Sequence, residues 1–259
     1  VDRRQRQMCI RDSCNGVKTP AASGVKLDDY EDSEKANKDL YQEILGCIGY
    51  LVRGTRPDLA YTYSKLSQYS KDPRMIHYEA LKRVLRYLKG TKGYRLKIGR
   101  EVGRLEISSD ASWCTTLDSK SFGGYSVKIG DALISWRSGK QKMVALSTME
   151  SELVALCDGV CEGIWLTELL EELGQFEVVE RPIKVRTDSQ SALNWNNNEK
   201  INKENKHIRR MYHFVKDEIK NGEVVLHHVG SADLETDVLT KDVSEALMKK
   251  HIPNLSLII

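Results

Sequence analysis

The sequence predicts an α/β protein: a mixed five-stranded sheet flanked by helices and preceded by a small helical domain. Three observations carry that expectation. Residues 104–136 hold three short apolar runs in succession with no helical stretch between them. Beyond residue 147, helical stretches alternate with single strands. Residues 40–89 keep a helical period throughout. Consecutive strands pair antiparallel and helix-linked strands return parallel, so the sheet is mixed and its first three strands are antiparallel.

Taken in order, residues 1–13 show no useful periodicity and are set aside as a basic tail or a non-native translated stretch. Residues 14–38 mix Gly, Pro, Ser and charges and read as an exposed connector, with Asp28 and Asp29 in a solvated loop. Residues 1–39 are therefore assigned as linker or disordered chain. Residues 41–52 form a first helix. Pro57 at a helix start, with Leu59, Tyr63, Leu66 and Tyr69 spaced by three and four, gives a second. Residues 75–89 give a third, with Ala80, Leu81, Val84, Leu85 and Leu88 as its apolar stripe and Gly90 as its stop. Lys82, Arg86 and Lys89 fall on the opposite face. Arg83, Lys92, Arg95 and Lys97 extend those cations, which sets phosphate contact against a merely solvated face.

The helical domain thus covers residues 40–100, the sheet domain 101–242, and a C-terminal tail 243–259. Within the sheet domain, residues 105–109 form a strand. Residues 123–129 and 132–136 form a hairpin around Gly130-Asp131. Ser147 or Thr148 caps a long helix that runs to Leu173-Gly174, with a break expected near Gly159 or Gly163. A buried strand at 183–187, a short helix at 189–195, a helix at 206–220, a last strand at 223–229 and a short helix at 234–241 complete the domain. Trp113, Trp136, Trp165 and Trp195 read as core residues rather than stacking platforms.

Net charge says little about partners, because 40 Lys and Arg stand against 37 Asp and Glu. Its distribution says more. Residues 51–100 carry 13 basic and 3 acidic residues, while residues 150–180 carry nine acids and no base. A polyanion-binding surface beside a cation-binding one fits that split. Cys9, Cys14, Cys47, Cys114, Cys157 and Cys161 form no C-x-x-C pair, which argues against zinc and for a reducing compartment. No apolar run approaches the roughly 20 residues of a membrane span, and no signal-peptide region opens the chain. A soluble protein, with no membrane partner, is expected.

Four carboxylates stand out: Asp110, Glu152, Asp188 and Asp237, each placed where a short element begins or ends. Acids at strand ends and helix starts point into one crevice of an α/β sheet, where ligands bind. Four acids converging there would repel one another unless cations sat among them. That pattern points to a hard divalent metal, magnesium first.

The matching motifs are Ser108-Ser-Asp-Ala-Ser-Trp113, Ile134-Ser-Trp-Arg-Ser-Gly-Lys-Gln141, Ala145-Leu-Ser-Thr-Met-Glu-Ser-Glu152, Thr187-Asp-Ser-Gln-Ser-Ala192, Lys206-His-Ile208 with Tyr212-His-Phe214, and Thr236-Asp-Val-Leu-Thr-Lys241. In that order they resemble the ribonuclease H region of copia-type LTR retrotransposon polyproteins. Upstream, Thr55-Arg-Pro-Asp-Leu-Ala60 and Leu85-Arg-Tyr-Leu-Lys-Gly-Thr91 resemble the segment joining reverse transcriptase to ribonuclease H. The likeness covers roughly residues 40–242. No polymerase catalytic strand is present, so the chain looks like the C-terminal piece of a larger polyprotein.

The resemblance implies a ribonuclease H-like fold and an endonuclease that cuts the RNA strand of RNA–DNA hybrids during reverse transcription. Two Mg²⁺ ions (Mn²⁺ as a substitute) about 3.5–4 Å apart would relieve the charge of the phosphodiester without a protein nucleophile. It assigns Asp110 as the acid bridging both ions, Glu152 and Asp188 to the ion nearer the leaving group, and Asp237 to the other. Glu150 and Glu152 are two apart on a helix and cannot share a face; the alignment favours Glu152, leaving Glu150 to the helix dipole. Gln190 matches a position that contacts bases or sugars. Ser147 and Thr148 offer hydroxyls to the RNA strand, and Lys206, His207, Arg209 and Arg210 either grip DNA phosphates or form a solvated face. Cellular ribonucleases H carry a mobile His before the last acid, but here only residues 230–232 separate Val229 from Asp233, so His227 and His228 belong to the strand. The partner implied is the reverse transcriptase domain of the same polyprotein, inside the cell, in the cytoplasm (a virus-like particle) or the nucleus. The competing reading is an inactive relic that only binds nucleic acid or supports the polymerase. An integrase of the same superfold places its Glu after the second Asp, which this order does not.

Overall fold

The structure is a computed structural model that describes residues 15–22, 24–28, 30, 32–99, 103–116, 118–194 and 208–258. Its helical elements open with α1 (Lys38–Gly54), α2 (Ala60–Ser67) and α3 (Met75–Gly90). Then come β1 (Arg95–Leu96), β2 (Leu105–Ser112), β3 (Phe122–Ile129), β4 (Ala132–Lys140) and the long helix α4 (Thr148–Glu172). β5 (Ile183–Thr187), α5 (Gln190–Asn194), α6 (Arg209–Lys220) and β6 (Val224–His228) follow. α7 (Asp237–Thr240), α8 (Glu245–His251) and β7 (Leu257–Ile258) close the chain. The chain divides into two compact units: Val1–Leu96 with Asp242–Pro253 and Leu257–Ile259, and Lys97–Lys241 with Asn254–Ser256.

In the first unit the apolar faces of three helices supply the core. Tyr41, Ile44, Leu45, Ile48 and Val52 of α1 are buried, with Leu66 of α2 and Leu81, Val84 and Tyr87 of α3. The Tyr41 hydroxyl donates to the Leu66 carbonyl at 2.9 Å, which satisfies the one polar atom of a fully buried ring. The Thr-Arg-Pro-Asp motif holds a buried ion pair. Arg56 Nε and Nη2 donate to the two Asp58 oxygens at 2.9 and 2.7 Å, and the Tyr87 hydroxyl adds a bond at 2.8 Å. Both charges stay buried because each has its partners.

Two segments of this unit are more ordered than the sequence suggests. Asp28, expected in a solvated loop, is half-buried and accepts a hydrogen bond from Tyr69; its neighbour Leu27 is buried. Asp29 lies outside the described residues. Residues 243–259, expected to be a tail, instead form α8 and β7. The Ser244 side chain caps α8 by accepting from the Leu247 N–H at 3.3 Å. Met248, Ile252 and Leu257 are buried, and β7 pairs antiparallel with β1. Three apolar anchors in so short a stretch outweigh the entropy of leaving it loose.

The second unit is a five-stranded sheet in the order β4-β3-β2-β5-β6. β2, β3 and β4 are antiparallel neighbours, and β2–β5 and β5–β6 are parallel. This is the ribonuclease H-like arrangement that the resemblance implies. α4 lies on one face, its Leu153, Leu156 and Val160 buried with Ile107, Val127 and Val185 of the sheet. α6 joins the same core through Val215, next to Ile208. The long helix has no break at Gly159 or Gly163. Those glycines are where it meets the sheet: a Cβ at Gly159 would stand 3.2 Å from Ile107 Cγ2, and one at Gly163 would collide with Ile107 Cδ1. Close approach, not a kink, explains why the helix tolerates two weak helix formers there.

Candidate metal centre

Parallel pairing of β2 with β5 ends at Ser108 and Arg186. Two residues further along the chain come Asp110, still in β2, and Asp188, the first residue past β5, so both acids stand in the fork where the strands part. Such forks, at the carboxyl ends of parallel strands, are where open sheets hold ligands. Asp110 lies inside β2 rather than at its end, because Asp110, Ala111 and Ser112 still pair with Gly124, Gly123 and Phe122. Gly124 is needed opposite Asp110: a Cβ there would come within 2.9 Å of Leu239 Cβ in α7.

Glu152 rises into the fork from the first turns of α4. The Ser147 Oγ caps that helix by accepting from the Glu150 N–H at 3.3 Å, and Glu150 Oε2 accepts from the Leu146 N–H at 2.7 Å. Glu150 is thereby committed to the helix start, and Glu152 reaches the site. Oxygens of Asp110, Glu152 and Asp188 all lie within 4.8 Å of one another. Asp237, the first residue of α7, is buried but stands outside that trio. Lys241 Nζ sits 2.7 Å from Asp237 Oδ1, and the Thr240 hydroxyl donates to Asp110 Oδ2.

The electrostatics follow from burial and crowding. Burial first, then the charges of Asp110 and Asp188, push the Glu152 carboxyl up to about 9. Burial raises Asp110 to about 6 against the Thr240 hydroxyl and Lys241, which favour its charge, while Asp237 and Asp188 add to the rise. Asp188 is raised by burial and by Asp237. Burial works against the Lys241 charge, but its bond to Asp237 and the nearby Asp110 and Asp188 hold its pKa above the usual lysine value. Glu152 Oε2 is buried without a hydrogen-bond partner. Three close carboxyls, all of them protonated more readily than usual, and one orphaned oxygen describe a site short of positive charge. Hard oxygen donors of this kind suit a divalent cation of the magnesium class.

The other expected contacts are less gathered. Gln190 is exposed at the start of α5, and Thr148 is exposed on the first turn of α4. The Ser147 hydroxyl is spent on the helix cap. Arg209 is exposed and bonds His213 at 3.3 Å; Arg210 is exposed too. Lys206 and His207 lie outside the described residues, as does Trp195. His227 and His228 are exposed at the end of β6. Trp113 and Trp165 are 45% and 54% exposed and are not core; Trp113 Nε1 donates to the Ala145 carbonyl at 3.0 Å, which lets the ring stay at the surface. Of the basic stripe on α3, Arg83 bonds Thr19 and Arg86 the Asn15 carbonyl, so these two are partly committed within the chain. Among the described residues no helix is long and apolar enough to cross a membrane.

Sequence reasoning missed three residues. Thr240 and Lys241 stand three and four places after Asp237, on its side of a helical turn, a spacing that could have found them. Glu235 gave no signal at all, yet it is buried and bonded to three strands.

No family model matches the chain. The retrovirus-related Pol polyprotein from transposon RE2 of Arabidopsis thaliana is 36% identical over 93% of this chain and 17% of its own length. The chain therefore spans about one-sixth of that relative. A shorter relative, secreted RxLR effector protein 161 of Plasmopara viticola, is 45% identical over 49% of this chain and 91% of its own. Among solved structures, LC11-RNase H1 in complex with an RNA/DNA hybrid covers 53% of this chain and 94% of its own, with 14% identity and a TM-score of 0.38. A likeness that distant says nothing of this chain's chemistry. Three plant transposon polyproteins at 33–37% identity do speak to ancestry, over 88–93% of the chain. The chain belongs to the retrovirus-related Pol polyproteins of copia-type transposons, as a segment that carries their ribonuclease H-like domain.

Proposed function

We propose that the second unit is a divalent-metal-dependent ribonuclease H, cutting the RNA strand of RNA–DNA hybrids made by the reverse transcriptase of the same polyprotein. The observation that carries this reading is the convergence of Asp110, Glu152 and Asp188 within 4.8 Å in the fork of the sheet. Asp110, Glu152 and Asp188 would hold Mg²⁺, with Asp237 supporting a second ion beside Lys241. When bound, such ions relieve charge on the scissile phosphate and favour ionised water at neutral pH. The chain itself supplies rigidity: Asp110 is set by strand pairing and the Thr240 hydroxyl, and Glu152 by the Ala111 N–H at 3.2 Å. Burial excludes bulk water from both, so their charges act at short range with little screening. Gln190 at the start of α5 and Thr148 on the exposed first turn of α4 would meet the sugar edge of a hybrid, and Arg209 and Arg210 its phosphates.

The test is cleavage of a labelled RNA–DNA hybrid by the full chain in Mg²⁺, with Asp110→Asn as control. Release of RNA fragments by the wild type alone, lost on chelation, supports the reading. Equal inertness of both proteins would sink it and leave a nucleic-acid-binding module.

A further inference from the structure

Glu235 lies two residues before Asp237 and is 1% exposed. A carboxylate so buried requires partners, and it has four, drawn from three strands. Its Oε1 accepts from the Ser108 hydroxyl of β2 at 3.0 Å and from the Ser126 hydroxyl of β3 at 3.2 Å, and pairs with Lys128 of β3 at 3.2 Å. Its Oε2 pairs with Arg186 of β5 at 3.1 Å. Arg186 in turn donates to the Asp233 carbonyl at 3.2 Å, closing the connection onto the segment that leads into α7.

The positions of these partners matter. Ser108 and Arg186 are the last rung of the β2–β5 pairing before the fork opens. Each stands two residues before an acid, Asp110 and Asp188, and Glu235 stands two residues before Asp237. Along a strand, residues two apart share a face, so Ser108 and Asp110 lie on the side of the sheet that α7 covers. Glu235 therefore grips, at one point, the roots of three of the four acid-bearing segments, all but α4, which carries Glu152. Its oxygens are taken up by Ser108, Ser126, Lys128 and Arg186, so its link to the acids runs through short pieces of backbone.

We propose that Glu235 is a positioning residue: by clamping Ser108 and Arg186 it fixes the spread of the fork, and with it the separation of the carboxylates that hold the metal. This rests on the metal-centre reading above. Partners that orient metal ligands from behind commonly change metal affinity 10–100-fold when removed, and here the lower end, about tenfold, is expected.

The experiment measures Mn²⁺ affinity of the full chain by the loss of the free-ion electron paramagnetic resonance signal. The proteins are wild type, Glu235→Gln, Ser108→Ala and the double variant, each checked for native circular dichroism without metal. Positioning predicts about tenfold weaker Mn²⁺ binding for Glu235→Gln, a smaller loss for Ser108→Ala, and a double variant no weaker than Glu235→Gln. Additive losses would mean that Glu235 acts as a distant charge, and native Mn²⁺ affinity in folded Glu235→Gln that it does not act on the site; either overturns the inference alone. Should Glu235→Gln fail to fold, Ser108→Ala decides, because unchanged affinity there removes the clamp. Absence of Mn²⁺ binding by wild type would overturn both this inference and the function on which it rests.

Discussion

The backbone N–H of Ala111 donates to Glu152 Oε1 at 3.2 Å, tying the acid of α4 to the strand that carries Asp110. One oxygen of Glu152 is thereby fixed and the other left bare. Glu152→Gln can keep the first contact through its amide oxygen while losing the charge. Hybrid cleavage should fall at least about a hundredfold, beyond the range for groups that only support a ligand, with unchanged circular dichroism. Steady-state rates on a labelled hybrid check it, and near-native cleavage would remove Glu152 from the site.

Binding of a cation to the folded state alone must stabilise it. At Mg²⁺ near 100 times its dissociation constant the gain is about 2.7 kcal/mol, several degrees in melting temperature for a unit of this size. Asp110→Asn should abolish that gain. It should also melt about 2–4 °C higher than wild type in chelator, since it relieves roughly 1 kcal/mol of crowding among buried acids. Paired melts with EDTA and with Mg²⁺ test both signs; a Mg²⁺ response that survives in Asp110→Asn would locate the ion elsewhere.

Glycine on a helix normally weakens it, but Gly163 sits where α4 touches Ile107. Gly163→Ala should destabilise by about 1–3 kcal/mol through overpacking, despite the better helix propensity of alanine. Gly46 is the contrast: it lies exposed in α1 with nothing within 4 Å of its would-be Cβ. Gly46→Ala should stabilise by about 0.5–1 kcal/mol. Urea midpoints of the two variants should move in opposite directions, and a shared direction would contradict the packing described.

His77 is buried and neutral, its Nδ1 accepting from the Arg74 N–H at 3.0 Å and its Nε2 meeting the Leu27 carbonyl at 2.8 Å. Burial lowers its pKa, Arg74 adds to that, and the Leu27 carbonyl, Asp28 and Asp72 oppose it. Protonation therefore favours the unfolded state. Stability from this group is full above the ordinary imidazole pKa of about 6.5 and is lost as pH falls from there through the lower folded value. Thermal melts followed by helical ellipticity between pH 7.5 and 5 should show the decline, and His77→Gln should flatten it. An equally steep decline in that variant would assign the effect to other groups.

Much of the fold was legible because its signals are local. The strands at 105–109, 123–129, 132–136, 183–187 and 223–229 all exist with ends shifted by a few residues. Helix geometry offered Ser147 or Thr148 as the cap, and Ser147 takes it; it showed only that Glu150 and Glu152 point apart, and the preference for Glu152 came from the family resemblance. What failed was information held by distant neighbours. Nothing in residues 243–259 announces that Leu257 will pair with Leu96. Nothing near Glu235 announces two serines, a lysine and an arginine from three strands. Trp113 and Trp165 look like core by composition, and only their place at the end of β2 and on the outer face of α4 exposes them. Gly159 and Gly163 were read as weak points because a sequence does not show what a helix rests against.

Asp110, Glu152, Asp188 and Asp237 enter the chain in that order, and the last arrives on a helix of four residues. A nascent or clipped copy that stops before Glu235 would still contain all five strands and the whole of α4. It would lose Asp237 itself, Thr240 and Lys241 from beside Asp110, and Glu235 from behind the fork. Completeness of the acidic cluster is thus decided late in the sequence, by seven residues from Glu235 to Lys241, and copies broken just upstream of them would keep the silhouette of the domain without its fourth acid.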